Sequence, residues 1–408
     1  MIQKDNQVLE IIFDIKWSAS ERIGAVMEGI QTARESKGVR CITITGEGDC
    51  FLNGDVHEDL KTAYETEFKK NPIPVILAVN GACGGIGLNL LKKADLAVAS
   101  KLAVIEGYPD IDTAAEAYAV NEITSAETLA EVLKTYVDKL IVIPEELITY
   151  GHKIYFAMEQ LEDKASRREY GNSVIDEIMS IQARLNRNMD LHSGVLPDET
   201  IIYKNKYDKD HAILFEIRDH VEYIQLNAPR YRNMFDWRSS MELAGAYAVA
   251  NAIPDLKAIV VTGVGKRFHL GGIRHEQDDE YEQERFAEQL RIRNKIMGDI
   301  KVPLISAVNG ECSGGGMSLV LKSDMVIAAE SAAFGYPEVK HNSFACNSMV
   351  NTMDVIPKKA ALKCFYYGEL FSAAEAKKMG IVQMVVPDQE LDRTMQTITE
   401  KIDIGKRI

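Results

Sequence analysis

The chain alternates short, nearly continuous apolar runs with longer polar stretches of helical spacing. "VLEIIFDI" from Val8 and "VEYIQLN" from Val221 read as strands. "CITITG" and "AIVVTG" read as buried strands that run into a glycine turn, and so do "PVILAVNG" and "PLISAVNG". "MELAGAYAVANAIP" reads as a helix and "DMVIAAE" as a further short strand. Strands and helices in this alternation predict an α/β fold with a largely parallel sheet.

The whole order occurs twice. "AVNGACGGIGLNL" begins at Ala78, and "AVNGECSGGGMSL" begins 229 residues later at Ala307. Upstream, "VRCITITGEGDCF" matches "LKAIVVTGVGKRF"; downstream, "ADLAVASKLAVIEGYPD" matches "SDMVIAAESAAFGYPE". A repeat of domain length predicts a tandem duplication and not a solenoid. A polar helical stretch from Glu159 to Asp190 separates the copies, followed by the linker "HSGVLPDETIIYKNKYDKD". The expected domains are 1–205, ending in the helical linker, and 206–408.

Composition narrows the function. A chain of 408 residues with 46% apolar residues can build two or three cores. A net charge of −14 argues against nucleic acid as a partner, because phosphate binding needs a basic surface. Cys41, Cys50, Cys83, Cys312, Cys346 and Cys364 form no CxxC pair, so they read as reduced thiols with no metal site and no nucleophile among them. "MIQKDNQVLE" has no apolar signal region and no run approaches membrane length, so the expectation is a cytoplasmic protein off the membrane.

The chemistry centres on glycine. "GECSGGGMSL" follows a strand and leads into a helix, where glycine permits positive φ and close approach of a ligand to the backbone. Unpaired amides there suit a phosphate or a developing oxyanion. The same glycines also suit a plain strand–helix turn. "FHLGGIRHEQ" from Phe268 places a second glycine pair after another buried strand, so two turns can offer N–H groups to one oxygen.

Taken together, "IQLNAPRYRN", "FHLGG", "VPLISAVNGECSGGGMSLVLKSDMVIA", "FGYPE" and "LFSAAEAKKMGIVQMVVPDQEL" cover nearly all of the second copy. In that order they resemble the crotonase (enoyl-CoA hydratase/isomerase) superfamily. The first copy resembles it more loosely, over roughly residues 7–145. The resemblance implies two tandem crotonase-like spiral β–α domains and a homo-oligomer, a trimer or a related assembly. It also implies acyl thioesters of coenzyme A or of an acyl carrier protein as substrates, with the pantetheine carrier as the only cofactor-like group. Finally, it implies an oxyanion hole of two backbone amides, those of Leu270 and Gly315, holding a thioester enolate.

The family's hydratases act through two glutamates. In the second copy the matching positions are Ser318 and Glu338; in the first they are Asn89 and Asp110. Neither copy keeps the pair, which leaves Glu338 as a lone acid/base and suits a 1,3-proton shift. His269, Gly271, Gly272 and Gly314 are expected to line the thioester site. Arg274, Ser318 and His341 are further candidates, as are His275 and Arg230. The run "RHEQDDEYEQERFAEQLRIRNK" reads as an amphipathic helix with a solvated face.

The first copy departs further. Ile86 replaces the glycine that matches Gly315, where a β-branched side chain is expected to intrude on the oxyanion, and Asp55 puts a carboxylate beside it. The first copy therefore reads as a retired site kept for packing. The leading expectation is an enoyl-thioester isomerase or hydratase that works through the second copy. A crotonase-type decarboxylase or thioester hydrolase is the alternative enzyme, and a non-catalytic acyl-thioester-binding scaffold is the alternative class.

Overall fold

The computed structural model describes residues 2–5, 7–185, 211–272 and 280–402. The expected domain boundary near 205 and the candidates Arg274 and His275 lie outside the described residues. The chain divides into two compact units. The first comprises Met1–Leu185, Glu338–Met353 and Pro357–Gly368; the remainder makes the second.

In the first unit the strands are β1 (Ile2–Asp5), β2 (Val8–Phe13), β3 (Cys41–Gly46), β4 (Cys50–Leu52) and β5 (Val75–Val79). They continue as β6 (Ala82–Cys83), β7 (Leu96–Ser100), β8 (Val104–Ile105) and β9 (Glu122–Thr124). The large sheet has the order β1-β2-β3-β5-β7-β9, and β4-β6-β8 form a small second sheet. Only β1–β2 is antiparallel. The chain therefore visits the large sheet, then the small sheet, then a helix, and repeats.

Those helices are α1 (Ala19–Glu35), α2 (Glu58–Lys69) and α3 (Ile86–Lys93); α4 (Ile111–Glu116) and α5 (Leu129–Ile141) follow. Ser18 starts α1 with a reciprocal capping box to Glu21. Strands β5 and β7 are buried along their whole length, as parallel strands covered on both faces must be. Phe13, Phe51, Tyr64 and Phe68 fill the core between sheet and helices.

After α6 (Glu145–Glu159), the polar stretch expected to be helical forms α7 (Lys164–Ser173) and α8 (Ile175–Leu185), and its residues 186–190 lie outside the described residues.

In the second unit β10 (Ile213–Arg218) and β11 (Val221–Leu226) open a sheet that continues through β12 (Ala258–Gly263), β14 (Leu304–Val308), β16 (Met325–Ala329) and β19 (Met384–Val386). The small sheet contains β13 (Arg267–His269), β15 (Glu311–Ser313), β17 (Ala333–Gly335) and β18 (Leu370–Ser372). The strand orders of the two units run in parallel, one for one, up to β17. Helices α9 (Trp237–Ala252), α10 (Glu280–Gly298) and α11 (Gly315–Val320) follow β11, β13 and β15 in turn. Asp236 caps α9 with a reciprocal box to Ser239.

Two later helices, α12 (Cys346–Thr352) and α13 (Lys358–Tyr367), belong to the first unit. There the buried Lys359 ammonium donates to the carbonyls of Leu91 and Ala94 at 2.7 Å each, closing the C-terminal end of α3. Burial pushes the Lys359 ammonium down to about 7. Tyr366 donates to Asp95 at 3.1 Å, and Asp95 also pairs with His152 at 3.1 Å. The second unit ends with α14 (Ala373–Lys378) and α15 (Leu391–Lys401).

Candidate active site

In the second unit the ends of β13 and β15 meet. After His269 the backbone passes Leu270 and turns at Gly271, with φ +100°; after Ser313 it turns at Gly314, with φ +54°, into α11. Those values favour glycine. The two backbones touch: a Cβ placed on Gly271 would lie 3.0 Å from the Gly315 nitrogen, and one on Gly316 only 2.0 Å from the His269 carbonyl oxygen.

Most polar backbone groups here are already paired. The Gly314 N–H donates to the Gly335 carbonyl at 3.1 Å, and the Phe235 N–H donates to the Gly271 carbonyl at 2.8 Å. Gly272 bridges to Phe235. The N–H groups of Leu270 and Gly315 have no hydrogen-bond partner among the described residues, and both residues are half-buried. Two unspent donors on touching strand ends are what polarising a carbonyl requires.

Asn233 braces this arrangement. It is the last residue of "LNAPRYRN", fully buried, with φ +53°. Its side chain accepts from the Ala228 N–H at 3.0 Å and donates to the carbonyls of Val264 at 3.1 Å and Arg267 at 2.7 Å. Its own carbonyl lies 2.5 Å from Nδ1 of the buried His269. A carbonyl only accepts, so Nδ1 carries the proton and Nε2 keeps its lone pair. Burial, with the Arg293 guanidinium nearby, holds His269 down at about 3, so the ring is neutral. Nε2 lies 3.7 Å from where a Cβ on Gly315 would sit, and Phe235 packs against the ring at a tilt of 34°, 4.2 Å between centroids. Ser318 is buried one turn into α11.

The matching turns of the first unit are closed. Gly54 has φ +99° and Gly85 φ +55°, as at Gly271 and Gly314. Here, however, the Ile86 N–H donates to the Gly54 carbonyl at 3.0 Å. The Gly85 N–H donates to the Glu106 carboxylate at 2.5 Å. The Ile86 side chain does not intrude as expected from the sequence. It is buried in the hydrophobic core, and the turn is closed through its backbone amide. Asp55 does sit close by, with Oδ1 2.9 Å from the Cβ position of Gly85. Glu106 was not legible as a plug, because its alignment partner Gly335 offers only a carbonyl.

Glu338 and His341 lie in a short 3₁₀ turn, Pro337–His341, and both belong to the first unit. Glu338 Oε2 is buried with no hydrogen-bond partner among the described residues. Its burial pushes the carboxyl up to about 7, against a weaker pull from its own backbone N–H. His341 is exposed. Arg230 begins no pair that bears on the Leu270–Gly315 turns, and its side chain is exposed. Among the described residues no group of His, Cys, Asp and Glu is placed to hold a metal, and no helix is long and apolar enough to cross a membrane.

A family model described as enoyl-CoA hydratase/isomerase matches residues 216–406. The (E)-benzylidenesuccinyl-CoA hydratase of Thauera aromatica is 33% identical over 193 residues, covering 47% of this chain and 75% of that protein. The chain belongs to the enoyl-CoA hydratase/isomerase family. The mevalonyl-coenzyme A hydratase of Aspergillus fumigatus is 31% identical, over 45% of this chain and 69% of that protein. Among solved structures, human enoyl-CoA hydratase domain-containing protein 3 is 28% identical, with a TM-score of 0.45, covering 47% of this chain and 77% of that one. As a member of this enzyme family, the chain carries the matched residues in the half that contains the open turns.

Proposed function

We propose that this enzyme stabilises the enolate of an acyl thioester, of coenzyme A or of an acyl carrier protein, between the amides of Leu270 and Gly315, and that it is of the enoyl-thioester isomerase or hydratase type. The observation that carries the reading is the pair of unspent N–H groups on touching strand ends. Fixed donors of this kind lower the barrier because they need no rearrangement as charge develops on the oxygen. The names of the relatives support thioesters of coenzyme A as the substrate class.

In this reading the acid/base role falls to Glu338 from its place in the sequence, at the end of the "FGYPE" motif. A carboxyl held near neutrality takes up and returns a proton at physiological pH better than an ordinary glutamate does. Ser318 stands at the position where the family's hydratases have their other glutamate, so a single carboxyl moves the proton, which favours isomerisation over addition of water. The first copy's own turns, at Gly54 and at Gly85–Ile86, are the inactive ones of a duplicated domain. That copy's matching strand order and its spent Ile86 and Gly85 amides support this.

The test is hydrogen exchange at the α-carbon of butyryl-CoA in D₂O, followed by NMR. Enzyme-dependent loss of the α-proton signal is expected whatever the final product of the natural reaction. No exchange above the uncatalysed rate would sink the enolate reading.

A further inference from the structure

The charged run that leads into α10 reads from sequence as a solvated helix face, and Glu288, Arg291, Ile292 and Lys295 are exposed. Arg293 breaks the pattern. It is 9% exposed, and its guanidinium has no hydrogen bond or ion pair among the described residues. Burial pulls its charged form down in strength, yet a guanidinium stays protonated in proteins. A buried cation without a partner is costly, and such a group persists where a ligand completes it.

Arg293 opens onto a cavity in the second unit. The cavity holds about 10 Å³ and is lined by His269, Ser318, Phe235, Asn294 and Lys322 among others. That is the space of one water or one carboxylate oxygen. Lys322 donates to Asn294 Oδ1 at 2.8 Å, which leaves the Asn294 amide NH₂ as a donor. The walls thus carry two cations, an amide and a hydroxyl, with Lys322 already bonded to Asn294. Two acceptors face it: Asn294 Oδ1, already taken by Lys322, and His269 Nε2, which lies toward Gly315. The cavity lies against α11 at Ser318, Leu319 and Lys322, and it shares His269 with the Gly315 turn. It is too small for a nucleotide phosphate.

We propose that Arg293 anchors a carboxylate carried by the acyl group, so that the substrates are thioesters of dicarboxylic acids. This rests on the thioester reading above and names its substrate class. The carboxylate faces Arg293 and Asn294, with Ser318 beside it. His269, neutral with its proton held by the Asn233 carbonyl, adds no competing positive charge at this end of the cavity.

The experiment compares glutaryl-CoA with pentanoyl-CoA, equal in chain length, by calorimetric titration of the full-length protein. The parent protein is expected to bind glutaryl-CoA at least about tenfold more tightly, the range of a charge-assisted hydrogen bond. Arg293→Met is expected to bring the ratio to within about twofold. Arg293→Lys is expected to keep part of it. The melting temperature of Arg293→Met is expected to hold or rise, because an uncompensated charge leaves the interior. A fall in melting temperature with the ratio intact would mean that the guanidinium is structural, and it would overturn the proposal. Equal binding of both ligands to the parent also overturns it while leaving the thioester reading intact. Binding of neither overturns both.

Discussion

The Nδ1 atom of His269 lies 2.5 Å from the carbonyl oxygen of Asn233, and this single bond fixes which face of the ring is basic. Asn233 holds the same loop through three side-chain hydrogen bonds. One buried amide therefore sets both the tautomer of His269 and the path of the strand that ends at Leu270.

Replacing Asn233 with alanine is expected to cost about 3 kcal/mol of stability. Three hydrogen bonds go, two carbonyls lose their buried donor, and alanine is strained at φ +53°. Urea unfolding measures it. A loss below about 1 kcal/mol would mean that the loop is held by something else.

Gly315→Pro removes one donor. Proline is well tolerated at the first position of a helix, though its Cβ would lie 3.1 Å from the Gly271 Cα, so that turn must give by a few tenths of an ångström. The α-exchange rate of butyryl-CoA is expected to fall about 10²–10³-fold. Circular dichroism separates this from misfolding, and a folded variant exchanging at the parental rate refutes a role for the amide.

Glu338→Gln is expected to lower the exchange rate about 10²–10⁴-fold while affinity for the thioester stays close to the parent's. In the parent, exchange should rise with pH through an inflection near 7, because abstraction of a proton needs the carboxylate. The stability sign is the opposite. A carboxyl raised from 4.5 to about 7 favours the folded state below 4.5 and loses that contribution as pH climbs through 7. The melting-temperature gain of the glutamine variant should therefore grow between those values.

His269 acts on stability in the other direction. Its depressed value means that the folded state resists taking a proton, so stability is complete above about 6.5 and declines as pH falls toward about 3. Substituting His269 with glutamine should flatten the acid limb of the melting curve over that interval. An unchanged limb would show that the ring is not buried as a neutral base.

Amide exchange on ligand binding distinguishes the two copies. Pentanoyl-CoA is expected to slow exchange at Leu270 and Gly315 and to leave Ile86, already bonded to Gly54, unaffected. Protection appearing at Ile86 instead would reverse the assignment of the working copy.

Much of this was legible before any coordinates. Buried parallel strands announce themselves as runs such as "VILAV" and "LISAV", and the glycines that turn the chain at 271 and 314 stand in plain view. Asn233 was part of a quoted motif, but its role was not readable, because a brace is defined by what it reaches across the loop. Arg293 was hidden by its own chemistry. Surrounded by charge, it reads as solvated, and only its spacing with Leu290 and Met297 hinted at a shared buried face. Glu106 and the Ile86 amide were missed because backbone pairing leaves no mark on composition. Nothing in the pattern of α12 and α13 says which unit they will join.

The placement of those two helices in the first unit has a consequence for how the protein is made. The first unit has most of its chain once Leu185 has been synthesised, yet it lacks the lysine that caps α3 and the tyrosine that binds Asp95 until residue 368 has emerged. At about 5–20 residues per second, that interval lasts roughly 10–40 s. Throughout it, Asp95 and the end of α3 wait on the ribosome with their final partners still untranslated, so the nascent first half is exposed to chaperones and proteases until Lys359 and Tyr366 have been added.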